Sequence, residues 1–144
     1  MDALNRGLEA HNSGQIEKAT EAYQQALDLD PQNKYALFDL GVVEDSSGRP
    51  LSAENYYRMA LKVDPDFASA LYNLALLRSK AGDIQGSVEL YRRAAGVNPG
   101  SAETHLNLGF ALRDLGNTAE GDAELRRAVE LNPSLADRVS IRPQ

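Results

Sequence analysis

The sequence predicts an all-α solenoid built from four consecutive helix-turn-helix repeats, and three features of the chain predict it. Four prolines recur every 34 residues, and four glycines keep the same interval. Between them, apolar residues recur at steps of three and four, the spacing of one helix face. A strict period of this length is typical of proteins that stack one supersecondary element. The prolines are Pro31, Pro65, Pro99 and Pro133, and the glycines are Gly14, Gly48, Gly82 and Gly116.

Each repeat is predicted to contain two helices separated by the glycine. The proline ends the second helix, because proline lacks an amide donor and disfavours the helical conformation in the residue before it. Pro50 falls in the first turn of its helix, where a missing donor costs nothing. The first helices are predicted over residues 2–13, 34–47, 68–81 and 102–115, and the second over 16–29, 50–63, 84–97 and 118–131.

The two helices of a repeat are expected to approach closely, because small residues return at one register in each of them. Glycine inside a helix costs about 0.5 to 1 kcal/mol relative to alanine, so its recurrence indicates packing that needs the missing methyl group. The small residues are Gly7, Gly41, Ala75 and Gly109 in the first helices, and Ala26, Ala60, Ala94 and Ala128 in the second.

Composition excludes several classes of function. The 144-residue chain has no cysteine, so it has neither disulfides nor thiolate zinc sites. Its net charge of -6 argues against binding to nucleic acid or to anionic lipid. No apolar run reaches membrane-spanning length, and residues 1–10 lack a signal-peptide pattern. We expect a cytoplasmic chain without direct membrane contact, or a fragment of a larger protein.

Catalysis is not expected from this sequence. The two histidines, His11 and His105, fall at different registers and have no histidine or cysteine companion, so no metal site is predicted. His105 occupies a packing position, which indicates an interior residue. No phosphate-binding glycine loop or nucleophile elbow is present, so we expect no cofactor and no enzyme activity.

The order of large, small, aromatic and proline residues resembles the tetratricopeptide repeat motif over nearly the whole chain. The second repeat shows it with Leu37, Leu40, Gly41, Ala53, Tyr57, Ala60 and Pro65. The departures from the motif are Arg6, Glu44, Arg78, Gly121 and Leu125.

This resemblance implies a right-handed α-α superhelix whose first helices line a concave groove. The expected repeats cover residues 1–33, 34–67, 68–101 and 102–135, followed by a tail over 136–144, all within one solenoid domain.

The resemblance also implies which side chains face the groove. At the fifth and ninth positions of each repeat they form an apolar double row, which is either a ligand surface or partly core between neighbouring first helices; we prefer the ligand surface. This row consists of Leu4, Leu8, Phe38, Val42, Tyr72, Leu76, Leu106 and Phe110.

A polar row at the sixth position consists of Asn5, Asp39, Asn73 and Asn107. It resembles the asparagine ladder of O-linked N-acetylglucosamine transferase and would grip the backbone of an extended peptide, or would only bond locally and to water. Asp39 interrupts the asparagines and would favour an amide or a basic group. At the rim, Lys80 and Arg113 would select acidic ligand groups or serve only for solvation.

The sequence therefore predicts a noncatalytic protein-protein interaction module that binds a peptide segment or a helix of a partner. Alternatives are a targeting or regulatory domain cut from a larger enzyme or membrane protein, and a self-assembling scaffold subunit. A monomer is expected. The apolar pattern of Leu135, Val139 and Ile141 stops at Pro143. We expect this tail to fold back as a short helical turn, with self-association through the C-terminal face as the second option.

Overall fold

The structure is a computed structural model that describes residues 1–140. Ile141 and Pro143 of the predicted tail pattern lie outside the described residues. The eight helices are α1 Ala3–Asn12, α2 Ile16–Leu29, α3 Lys34–Ser46, α4 Pro50–Val63, α5 Ala68–Lys80, α6 Ile84–Val97, α7 Ala102–Asp114 and α8 Thr118–Leu131. A 3-10 helix follows over Pro133–Arg138. The prediction of paired helices is confirmed, and no helix end differs from it by more than one residue.

Turn glycines, periodic prolines and capping residues explain these helix boundaries. Each turn glycine has a φ between +72° and +88°, a left-handed conformation that side chains other than glycine rarely adopt. The second helices end two residues before each periodic proline. Asn33 and Ser101 cap α3 and α7, because their side-chain oxygens accept hydrogen bonds from backbone amides of the first turn.

The helices group into two compact units, and the boundary between them lies inside α5, after Ala70. In the N-terminal unit, α1 packs on α2, α2 on α3, and α3 on α4. One buried cluster joins Ala19 and Tyr23 of α2 to Leu40 and Val43 of α3. The first hairpin thus shares its apolar face with the second, as stacked repeats require.

The C-terminal unit, which begins at Leu71, has a core of its own. One cluster joins Ala75 and Tyr91 to Leu108 and Leu112. A second joins Leu106 and Leu125 to Leu135 of the 3-10 helix. The tail therefore folds back on this unit as a short helical turn, as expected, and covers apolar surface of α7 and α8.

Close helix approach is confirmed at the small residues. A methyl group added at Gly41 would lie 2.5 Å from the ring of Tyr57, which is too close for any real contact. In the fourth hairpin no aromatic ring fills this place. There a methyl group at Gly121 would lie 2.7 Å from the carbonyl oxygen of Gly109. Two departures from the motif, Gly121 and Leu125, therefore belong together, because the smaller pair lets the two backbones meet directly.

Candidate functional site

The N-terminal unit presents six of the predicted groove residues, and we call this set the N-terminal face. Leu8 is 46% exposed, and Asn5 is also exposed. The other four side chains are half-buried. The N-terminal face consists of Leu4, Asn5, Leu8, Phe38, Asp39 and Val42.

Phe38 belongs partly to the core of this unit. Its ring centroid lies 5.7 Å from that of Tyr57 and 5.3 Å from that of Phe67, distances at which aromatic rings attract one another. Since Phe38 remains only half-buried, one edge of the packed cluster faces outward. The apolar row in this unit is thus both core and surface, whereas Leu8 is mainly surface.

The side chain of Asp39 is half-buried and forms no hydrogen bond or ion pair with any residue from 1 to 140. Burial disfavours its charged form and raises the pKa of the carboxyl group to about 6, while the positive charge of His11 opposes the shift. The carboxyl groups of Asp64 and Asp83, by contrast, have pKa values held below their usual range by hydrogen-bond donors. Asp39 therefore carries an uncompensated desolvation cost.

The hydroxyl group of Tyr23 is buried and also has no hydrogen-bond partner among the described residues. Burial, followed by the charge of Asp39, raises the pKa of this phenol to about 12. The sequence predicts a packing role for Tyr23, because the aromatic residue at its motif position ordinarily packs against the small residue of the first helix. It does so here against Gly7.

The C-terminal unit presents the other six predicted groove residues, which we call the C-terminal face. Two of them are bonded to each other: the amide nitrogen of Asn107 donates to the hydroxyl oxygen of Tyr72 at 2.8 Å. The Tyr72 ring also lies 5.9 Å from that of Tyr91. The C-terminal face consists of Tyr72, Asn73, Leu76, Leu106, Asn107 and Phe110.

Leu106 does not face solvent. It is 0% exposed and packs with Leu125, Ala128 and Leu135. The tail brings Leu135 over this position, so of the two interpretations of the apolar row, core is the one that applies to Leu106. We therefore leave it out of the proposed binding surface.

Arg113, expected at the rim, is used within the unit. Its Nε donates to the buried carboxylate of Asp122 at 2.6 Å, and its Nη2 donates to the backbone oxygen of Ser140 at 2.6 Å. Arg113 therefore neutralises a buried acid and holds the tail, rather than offering a free cation to a ligand. Lys80, the other rim cation, is exposed.

His105 is an interior residue, as predicted. Its Nδ1 lies 2.6 Å from a carboxylate oxygen of Glu124, and its Nε2 lies 2.8 Å from the backbone oxygen of Pro99. Both ring nitrogens are thus engaged. In the part of the chain that the structure describes, no three histidine, aspartate or glutamate side chains cluster as metal ligands, and no helix has the length and apolarity to cross a membrane.

Family models match most of the sequence. A model described as TPR repeat matches residues 7–44, and one described as Tetratricopeptide repeat matches residues 44–102 and 72–136. A search of curated proteins finds no match.

Solved structures share the fold. YrrB, described as a TPR protein with an unusual peptide-binding site, superposes with a TM-score of 0.83 at 21% identity, over 94% of this chain and 70% of its own. MamA from Desulfovibrio magneticus RS-1 superposes with a TM-score of 0.77 at 20% identity, over 93% of this chain and 76% of its own. A MamA RS-1 ArsTM double mutant gives 0.79 at 20% identity, over 93% and 75%.

Proposed function

Because the chain belongs to the tetratricopeptide repeat family, whose repeats form protein-interaction domains, we propose that its N-terminal face binds a peptide segment or a helix of a partner protein, without catalysis. The observation that carries this proposal is the combination, on one face, of an exposed apolar side chain and polar groups without partners. Leu8 provides the first, and Asn5 and Asp39 provide the second.

This combination suits a partner segment with both apolar side chains and exposed backbone groups. Leu8 and the outer edge of Phe38 supply apolar contact, which contributes about 25 cal/mol for each Å² removed from water. The amide of Asn5 can donate and accept together, as the backbone of an extended peptide requires. YrrB, a protein of the same fold, has a peptide-binding site, which supports this type of ligand.

The C-terminal face is a second candidate surface, reduced by its internal contacts. Leu76 and Phe110 are half-buried, and Asn107 would have to leave Tyr72 before it could bond to a ligand. The alternatives of a regulatory domain within a larger protein and of a self-assembling scaffold remain predictions. A monomer is the state we propose, because the tail already covers Leu106.

Selection from a phage-displayed peptide library tests the proposal. The immobilised chain is expected to enrich a related set of peptides, and Leu8→Glu is expected to weaken their binding about tenfold or more by placing a charge at the contact. Leu51→Glu is the matched control, since Leu51 is 78% exposed on α4, outside the N-terminal face. The proposal is wrong if no peptides are enriched, or if both variants bind the enriched peptides as the parent chain does.

A further inference from the structure

Asp39 differs from the other buried and half-buried carboxylates that have cationic partners within the chain. Glu44 accepts from Arg49 at 2.7 Å, and Asp64 accepts from Lys34 at 2.5 Å. These two ion pairs, like that of Asp122 with Arg113, offset the cost of removing a charge from water.

No such compensation exists at Asp39. Its carboxylate has no hydrogen-bond donor or cation in contact within residues 1–140, although the side chain is half-buried. Polar groups in such surroundings are ordinarily satisfied, and the exceptions concentrate at functional sites. The unsatisfied carboxylate of Asp39 therefore indicates a place where a ligand supplies the missing donors.

We propose that the carboxylate of Asp39 is a subsite that binds a basic side chain, arginine above all, of the partner segment. The proposal rests on the function proposed above for the N-terminal face. A guanidinium group carries five donors in a planar fork, so one group can donate to both oxygens of the carboxylate together. The chain's net charge of -6 favours the approach of a basic segment.

Two groups on the helices packed against α3 act electrostatically on Asp39. From α1, His11 is the cation whose charge opposes the rise of the Asp39 pKa. From α2, the Tyr23 phenol is the group whose own pKa the Asp39 charge raises. Neither contacts the carboxylate as an ion-pair partner, so a ligand cation would be the first to do so.

Matched peptide pools provide the test. Acetylated, amidated pentapeptides have a central arginine, lysine, citrulline or glutamate, with flanking positions drawn from leucine, phenylalanine, valine and alanine. Citrulline keeps the shape of arginine without its charge. The immobilised full chain is expected to capture the arginine pool about tenfold better than the citrulline pool, the gain typical of one charge-assisted hydrogen bond.

Asp39→Asn is the decisive variant, because asparagine occupies the same register in the other three repeats and keeps the size of the side chain. It is expected to reduce the arginine-to-citrulline ratio to about one.

The possible failures are distinguishable. If the parent chain captures the arginine and citrulline pools equally, or prefers glutamate, the basic-side-chain subsite is wrong and peptide binding stands. If Leu8→Glu captures every pool as well as the parent chain does, the N-terminal face is not a binding surface and both proposals fail. Carbon-13 NMR of the Asp39 carboxyl provides a direct readout: its pKa should fall when the best arginine peptide is added and stay unchanged with the citrulline peptide.

Discussion

The N-terminal and C-terminal faces occupy the same registers of the repeat but differ in how far their side chains are already satisfied. In the N-terminal face, Leu8 is exposed and Asp39 has no partner among the described residues. In the C-terminal face, Asn107 is bonded to Tyr72 and Leu106 is buried beneath the tail. Register therefore decides where a side chain lies, whereas its neighbours decide whether it is available to a ligand.

The strongest way to break the C-terminal unit is to alter the crossing of α7 and α8. Gly121→Ala restores the alanine of the repeat motif, yet its methyl group would lie 2.7 Å from the Gly109 oxygen and 3.2 Å from the Arg113 nitrogen. Because backbone atoms cannot rotate away, we expect a loss of about 3 kcal/mol in the free energy of unfolding, measured by urea denaturation.

Gly96→Ala is the matched control for this substitution. A methyl group at Gly96 on α6 meets nothing within 4 Å, so alanine should stabilise the helix by about 0.5 to 1 kcal/mol. Equal effects of the two substitutions would show that the backbones of α7 and α8 are not in contact at Gly121.

The tail contact that separates the two faces can be weakened with Leu135→Ala. Leu135 is 4% exposed against Leu106 and Leu125, so its truncation should cost about 2 kcal/mol, the lower end for a buried leucine because a chain end relaxes readily. Thermal denaturation measures this loss. Leu29→Ala, at a side chain that is 83% exposed, should change stability by less than about 0.5 kcal/mol; a similar cost at both sites would mean that the tail does not cover Leu106.

The unpaired carboxylate of Asp39 in the N-terminal face should affect how the free energy of unfolding depends on pH. The pKa of Asp39 is about 6 in the folded chain, above the ordinary value of 3.8 for this group, so the folded state binds the proton more tightly. The contribution of Asp39 to the free energy of unfolding must therefore fall as pH rises from about 4 to about 6 and stay lower above that range.

Asp39→Asn removes this penalty. At pH 7.5 we expect the variant to be more stable than the parent by about 1 to 2 kcal/mol, since solvent still screens a half-buried charge, and at pH 4 the two should be equal. Urea denaturation at both pH values measures the difference. A variant less stable than the parent at pH 7.5 would show that the carboxylate already has a stabilising partner.

The smallest expected effect concerns the internal bond of the C-terminal face. Tyr72→Phe deletes the acceptor of the Asn107 amide and should cost about 1 kcal/mol in chemical denaturation. Tyr35→Phe serves as the reference, because Tyr35 is 54% exposed and its ring contacts with Lys34 and Phe67 do not need the hydroxyl. If both substitutions are neutral, the two faces are equally free to bond to a ligand.

The fold could be predicted from the sequence because the prolines and glycines that end helices and turn the chain act locally. A proline at 65 ends α4, and a glycine at 48 turns the chain between α3 and α4, whatever the rest of the molecule does. Small residues at fixed registers likewise predicted close packing of the two helices in each repeat. The direct contact of the two backbones at Gly121 could not be predicted, because it also depends on Leu125 standing where the motif has an aromatic residue.

The site could be predicted only in part, because whether a side chain is available to a ligand depends on contacts between distant segments. The register placed Arg113 at a rim, but its partners, Asp122 and Ser140, lie on α8 and in the tail. The register predicts that Leu106 faces the groove, but Leu135 of the tail covers it. Nothing in the sequence indicates that Asp39 is unpaired, because this state depends on the absence of donors from other segments of the chain.

The crossing of α7 and α8 also bears on how such a chain can change by duplication and exchange of its repeats. In the first two hairpins a glycine of the first helix meets a tyrosine ring of the second, whereas Gly109 meets Leu125 and the backbone of Gly121. Recombination within the fourth hairpin would therefore change the spacing of its two helices, whereas recombination in the loop before α7 would move the hairpin whole. The inherited and exchangeable piece of this end of the molecule is the complete hairpin, not the single helix.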